Sequence, residues 1–263
     1  MVVPEPIPGF EATVRDRLAA IMLNPWRVPS VTCATCTHPI GAQYEWCYQC
    51  NRDQREFGTA IARLVVPLTY SVVGAQSDSD MYRYKDAMGE HLRAQNPSFQ
   101  RVLLLALGFS VTHAPCLDRV STSPVSCLAT VPSLSGRAGA HPLNRISSVL
   151  PEHWRRVEVA AAPGVPESER RKIRARHFSL PSPRDVAGRH VVVFDDTWVK
   201  GGHAQSVAAA LRQAGAAEVT VVVIARRIDP RNQLPFVEDV ARRVLTPREY
   251  TLATCPVTGD RCS

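Results

Sequence analysis

Hydrophobic positions change rhythm along this chain. Between Glu11 and Leu23 apolar residues recur among charges at a helical spacing, which predicts a short amphipathic helix. Ser79 to Ala94 also reads as a helix. Ser98 to Val111 is largely apolar, and its length favours a buried helix over a strand. Leu128 to Val131 is short, apolar and followed by Pro132, as for a strand running into a loop. His141 to Leu150 looks helical, with Pro142 in the first turn, where its missing N–H costs nothing. Pro163 to Arg176, rich in Pro, Arg and Glu, reads as a mobile exposed loop.

The clearest unit follows. Val191-Val192-Val193-Phe194 is uninterrupted and apolar, as expected of a strand buried on both faces. Asp195 to Gly202 read as a loop. Ala204 to Ala214 read as a helix, with Val207, Leu211 and Ala214 on one face and Gly215 at its C-terminal cap. Val219 to Ile224 is a second buried strand. Strand, loop, helix and strand make a right-handed βαβ unit, so the expected class is α/β with a parallel sheet. Composition divides the chain into residues 1–58 with the first helix and paired cysteines, residues 59–228 with the alternating patterns, and a polar tail over 229–263.

Cysteine usage adds a metal. Cys33-Ala34-Thr35-Cys36 and Cys47-Tyr48-Gln49-Cys50 are two tight knuckles joined by a short loop. Each aims two thiolates at one point, and four thiolates complete a closed tetrahedral zinc site with a structural role. His38 lies in the loop but is not needed as a ligand. Cys255 and Cys262 are spaced unlike a knuckle; a second metal site or a disulfide is their minority reading. Cys116 and Cys127 read as plain buried thiols.

The chain has 263 residues, 45% of them apolar, and a formal net charge of +7. Almost all the positive charge is arginine, with lysine only at Lys85, Lys172 and Lys200. This favours anionic partners such as nucleotides, pyrophosphate or nucleic acid without choosing among them. The first residues carry charges where a secretory signal needs an apolar segment, and the longest apolar run, Val102 to Leu107, is too short to span a bilayer. A cytoplasmic protein without a membrane partner is expected.

Asp195-Asp196 falls at the carboxyl end of a buried strand, the edge where open α/β sheets bind ligands. The loop that follows leads into a helix N-terminus, whose free N–H groups and dipole suit an anion. The run VVVFDDTWVKGGHAQS resembles the phosphoribosyl pyrophosphate motif of type I phosphoribosyltransferases. The resemblance implies that Asp195 and Asp196 take the catalytic, ribose-contacting role. It assigns the 5′-phosphate to Thr197, Val199, Lys200, Gly201, Gly202 and His203. The family loop carries hydroxyl residues where this chain has Val199, Lys200 and His203.

Thr130 to Arg137, followed by His141-Pro142-Leu143, is similar to the pyrophosphate-loop region of the ComF family, whose members also carry an N-terminal four-cysteine module. Tyr82-Arg83-Tyr84-Lys85 matches a lysine-bearing segment of that family. The likeness runs over residues 30–228 and is strongest to actinobacterial members. It implies a type I phosphoribosyltransferase-like parallel sheet flanked by helices, with a small N-terminal zinc-ribbon module. It implies a pyrophosphate site of Lys85, Ser133, Ser135, Gly136 and Arg137, and magnesium bound with the substrate. The reaction implied is displacement of pyrophosphate from ribose by a nitrogen nucleophile. A phosphoribosyl-ligand sensor without turnover and a DNA-handling accessory protein are the alternatives. The partners these readings allow are phosphoribosyl pyrophosphate or a related nucleotide, single-stranded DNA and a second copy of the chain.

Overall fold

The computed structural model describes residues 9–86, 90–134 and 142–260. Seven strands run in chain order: β1 (Val65–Val72), β2 (Val125–Thr130), β3 (Arg155–Val157), β4 (Ala160–Ala161), β5 (Phe178–Ser179), β6 (His190–Trp198) and β7 (Glu218–Ile228). The helices are α1 (Phe10–Leu18), α2 (Tyr48–Phe57), α3 (Gln76–Arg83), α4 (Glu90–Gln95), α5 (Pro97–Thr112), α6 (Cys116–Val120), α7 (Pro142–Ser147), α8 (Glu167–Arg170), α9 (Gly202–Gln213) and α10 (Glu238–Leu245).

Five strands form a parallel sheet in the order β1-β7-β6-β2-β3, so β6 lies at its centre. Strands β4 and β5 pair antiparallel beside it. The protein is thus α/β, with helices flanking a parallel sheet and a four-cysteine cluster near the N-terminus. Among the described residues no helix is long and apolar enough to cross a membrane.

The strand alternation that sends successive side chains to opposite faces sorts the core into two layers. Val192, Phe194, Val222 and Ile224 pack with Val14, Leu18, Phe99, Leu105 and Phe109, under α1 and α5. Val191, Val193, Val221 and Val223 pack with Val207, Ala208 and Leu211 of α9, and this second layer also takes in the four cysteines. Burial from both sides is why these strands read as unbroken apolar runs.

Most local expectations match. Asn96 caps α5 through its side chain, accepting from the N–H of Ser98 at 2.9 Å, and Pro97 occupies the first turn. Gly215 ends α9 with φ +91. Others need correction. The segment from Ser79 to Ala94 is not one helix: α3 ends at Arg83, and Tyr84 and Lys85 form a turn toward the sheet edge. Residues 163–176 are not a featureless exposed loop. They contain α8, bury Ile173, and tie to α9 where the Arg174 N–H donates to Ser206 Oγ at 2.9 Å. The stretch after residue 229 is not simply polar surface. It forms α10 and then buries Tyr250, Leu252, Cys255 and Val257 in the layer with α1 and α5.

Edge strand β1 contains Pro67, which an edge tolerates because a proline cannot donate to a second neighbour. Its outer side is covered from the N-terminal region. The Tyr70 N–H donates to Leu23 O at 3.1 Å and the Val65 N–H to Thr35 O at 3.0 Å.

Candidate functional site

The acidic pair lies within β6, not in a loop after it. The ladder continues through Asp195↔Val223, Thr197↔Ala225 and Trp198↔Arg226, because β7 is long enough to keep pairing. The pair therefore stands on the carboxyl end of the central strand, fixed by sheet hydrogen bonds. Both residues are partly exposed as a whole, although the Asp195 carboxyl itself is desolvated.

Their environments differ. Asp196 Oδ2 accepts from the Tyr84 hydroxyl at 2.9 Å and pairs with Lys85 Nζ. Asp195 forms no ion pair among the described residues; its Oδ1 accepts the Asp196 N–H at 2.8 Å. Burial and then the neighbouring Asp196 charge push the Asp195 carboxyl up to about 8, against the smaller effects of that N–H bond and of Lys85.

Helix α3 positions Tyr84 and Lys85, and two carboxylates anchor it. Asp80 is fully buried and receives a bidentate fork from Arg101 of α5, Nε at 2.6 Å and Nη2 at 2.7 Å. Asp78 accepts from Arg227 Nε of β7 at 2.8 Å and from Ser71 of β1. The helix carrying Lys85 is thereby clamped to the sheet that carries Asp196.

After β6 the chain turns through Val199 and Lys200, both exposed, into α9. Gly201 has φ +77, and a Cβ there would stand 2.3 Å from the Trp198 ring. Gly202 is crowded differently: its Cβ would meet the Arg171 carbonyl oxygen at 2.2 Å. The N–H groups of Lys200, Gly201, Gly202 and His203 make no hydrogen bond to a described residue. A set of free amides at a helix start is the donor arrangement an anion requires. Burial is the main cause that lowers the His203 pKa, and its buried Nε2 has no hydrogen-bond partner among the described residues. Thr197 stays in the strand ladder.

The loop after β2 leaves the sheet beside β6, where the Val131 N–H donates to Phe194 O at 3.0 Å. Ser133 is exposed on it. Ser135, Gly136 and Arg137 lie outside the described residues, as do His141 and Cys262. The structure thus brings together Asp195, Asp196, Lys85 and the turn at Val199–His203, with Ser133 on the adjoining strand's exit.

A second centre lies behind that turn. The sulfurs of Cys33, Cys36, Cys47 and Cys50 all lie within 4.8 Å of one another, and all four residues are buried. Cys36 Sγ and Cys47 Sγ are 3.8 Å apart. That is about the edge of a tetrahedron with metal–sulfur bonds of ~2.3 Å. The cluster could hold a structural metal such as zinc. Two arginines, neither paired with a described carboxylate, face it. Arg226 is 5% exposed; burial works against its charge, but the nearby cysteines Cys36, Cys47, Cys50 and Cys33 outweigh this and raise its pKa. Arg27 donates to Ala34 O at 2.7 Å and Val65 O at 2.8 Å. A divalent metal held by four thiolates would carry two negative charges, and these two guanidiniums would balance them.

Arg226 also joins the two centres. Its Nη1 donates to Trp198 O at 2.9 Å and Val199 O at 2.8 Å, which fixes the turn from behind. Neither Arg226 nor Arg27 was singled out from sequence. The signal for Arg226 was available: a charge within an otherwise apolar buried strand needs a partner. Tyr84 belongs to the Tyr82–Lys85 segment, and nothing local to it points to Asp196, which is far away in the chain. No protein-family model matches this chain, and the search of curated proteins returned no match.

Proposed function

We propose that this protein binds phosphoribosyl pyrophosphate or a close relative at the carboxyl end of β6, as a phosphoribosyltransferase-like protein of the ComF type, with zinc in the four-cysteine centre. One observation carries the reading: an acidic pair at the carboxyl end of the central parallel strand runs directly into a glycine turn whose amides are free. In this reading the turn at Val199–His203 holds the 5′-phosphate, and Asp195 and Asp196 face the ribose hydroxyls. Lys85, already drawn to this edge by Asp196, contacts the diphosphate. Ser133 and the residues that follow it complete the pyrophosphate side.

Magnesium would arrive on the diphosphate and keep most of its water. Asp195, which forms no ion pair among the described residues and holds its proton up to about pH 8, is the carboxyl suited to exchange hydrogen bonds with that water or with a ribose hydroxyl. The reaction is displacement of pyrophosphate by a nitrogen nucleophile through an oxocarbenium-like transition state. The chain contributes position and charge: the Asp196 carboxylate favours positive charge developing on the sugar, and Lys85 favours negative charge on the leaving group.

Calorimetry with phosphoribosyl pyrophosphate and magnesium, comparing wild type with Asp195→Asn/Asp196→Asn, tests the binding. Wild type should bind, and the double variant should lose at least about tenfold in affinity, the equivalent of one charge-assisted contact. Equal affinities would remove the acidic pair from the site. A sensor without turnover is the second reading. It is favoured by Val199, Lys200 and His203 in place of hydroxyl residues. Tight binding without pyrophosphate release over a broad panel of nitrogen acceptors would select it.

A further inference from the structure

His113 and Cys116, three residues apart, come together with the distant Cys255 in a cluster separate from the four-cysteine centre and the acidic pair. One ligand atom from each lies within 4.8 Å of the others, and all three residues are buried. His113 ends α5 and Cys116 begins α6. Their i, i+3 spacing closes a single turn in which the Cys116 N–H donates to His113 O at 3.0 Å.

The third residue sits in a turn that repeats the first cysteine knuckle bond for bond. At Cys33 the N–H donates to His38 O at 2.8 Å, the Thr37 N–H returns to Cys33 O at 2.9 Å, and Thr37 has φ 59. At Cys255 the N–H donates to Asp260 O at 3.0 Å, the Gly259 N–H returns to Cys255 O at 2.8 Å, and Gly259 has φ 87. Thr258 stands where the second cysteine of a knuckle would be, and the helix turn at His113–Cys116 supplies ligands instead.

Arg27 serves both turns alike. It donates to the carbonyl that follows each leading cysteine, Ala34 O at 2.7 Å and Pro256 O at 3.4 Å. The same guanidinium thus lies beside two thiolate sites.

We propose that His113, Cys116 and Cys255 bind a second zinc ion, which fastens the C-terminal tail to the end of α5. One imidazole nitrogen and two sulfurs are a donor set for zinc over the hard cations. On binding, the ion replaces the Sγ protons of Cys116 and Cys255, which leave to solvent, and takes His113 as the neutral ring. The three protein ligands leave the fourth position of the tetrahedron to water.

Metal analysis of the full chain purified with zinc tests this. Wild type should carry two zinc ions per chain. Cys116→Ser/Cys255→Ser should carry one, and Cys127→Ser, which alters a buried cysteine outside both clusters, should keep two. Zinc-edge X-ray absorption on wild type should find nitrogen beside sulfur in the average shell, a readout that needs no variant to fold. A wild-type count of one, an all-sulfur shell, or a double variant that still holds two would overturn the proposal. Cys36→Ser distinguishes the centres, since its one remaining zinc should keep the nitrogen.

Discussion

Asp195 keeps its proton into mildly alkaline solution because it is desolvated and lies beside Asp196. A carboxyl whose folded pKa is raised stabilises the fold fully below its ordinary value of 3.8, and that contribution is lost as pH rises through about 8. Asp195→Asn cannot ionise. Its melting temperature should therefore climb relative to wild type as pH rises across that window and level off above it. A difference that stays flat with pH would show that Asp195 is ionised throughout. Gly202 makes a second residue-scale case. A methyl there meets the Arg171 carbonyl at 2.2 Å, so the 163–176 segment must lift from α9. Gly202→Ala should cost about 1–3 kcal/mol by chemical denaturation. It should also speed limited proteolysis within that segment; unchanged cleavage would mean the contact yields freely.

At the scale of elements, α3 depends on the buried Asp80–Arg101 fork. Asp80→Ala leaves a guanidinium partly buried without its partner and should cost about 3–5 kcal/mol in urea denaturation. Because α3 carries Tyr84 and Lys85 to Asp196, the same change should also weaken ligand binding at the sheet edge. The strand β7 has an equivalent dependence at its far end. Arg226 supplies positive charge to the cysteine cluster and donors to Trp198 and Val199. Arg226→Met should cost about 2–4 kcal/mol and release the metal of the four-cysteine centre to a chelator faster than wild type does. Equal release rates would confine Arg226 to bracing the turn.

For the whole molecule, the tail determines how the layer under α1 and α5 closes. Leu252 lies against Gly108 of α5, where a Cβ would stand 2.8 Å from its Cδ2. The Tyr250 N–H donates to Ala19 O, and Asn24 exchanges two hydrogen bonds with Thr251. The two ends of the chain are thereby held together over one core. Leu252→Ala should cost about 2–4 kcal/mol, read by denaturant midpoint, with the loss spread over the global transition. A small early transition confined to the tail would show that this layer closes without it.

What the sequence determined by itself was whatever depends on near neighbours in the chain. The runs Val191–Phe194 and Val219–Ile224 announced buried parallel strands, Gly215 marked a helix end, and two Cys-x-x-Cys turns specified a four-sulfur centre before any fold was known. The eight residues of β1 carried the same β-branched signal, although Pro67 obscured it. Only the tertiary structure decided the rest, because it depends on partners far away in the chain. Strand β6 continues through Asp195–Trp198 because β7 is there to pair with it. Helix α3 stops at Arg83 and lets Lys85 turn to Asp196, and Arg226 tolerates burial because thiolates lie opposite. Cys116 reads as a plain buried thiol and Cys255 offers only its loose spacing to Cys262, since a cluster assembled from a helix end and a returning tail leaves no local spacing to read. Hydrophobic pattern and knuckle chemistry are short-range, whereas charge compensation and ligand convergence are long-range, and long-range contacts form only when the chain has closed on itself.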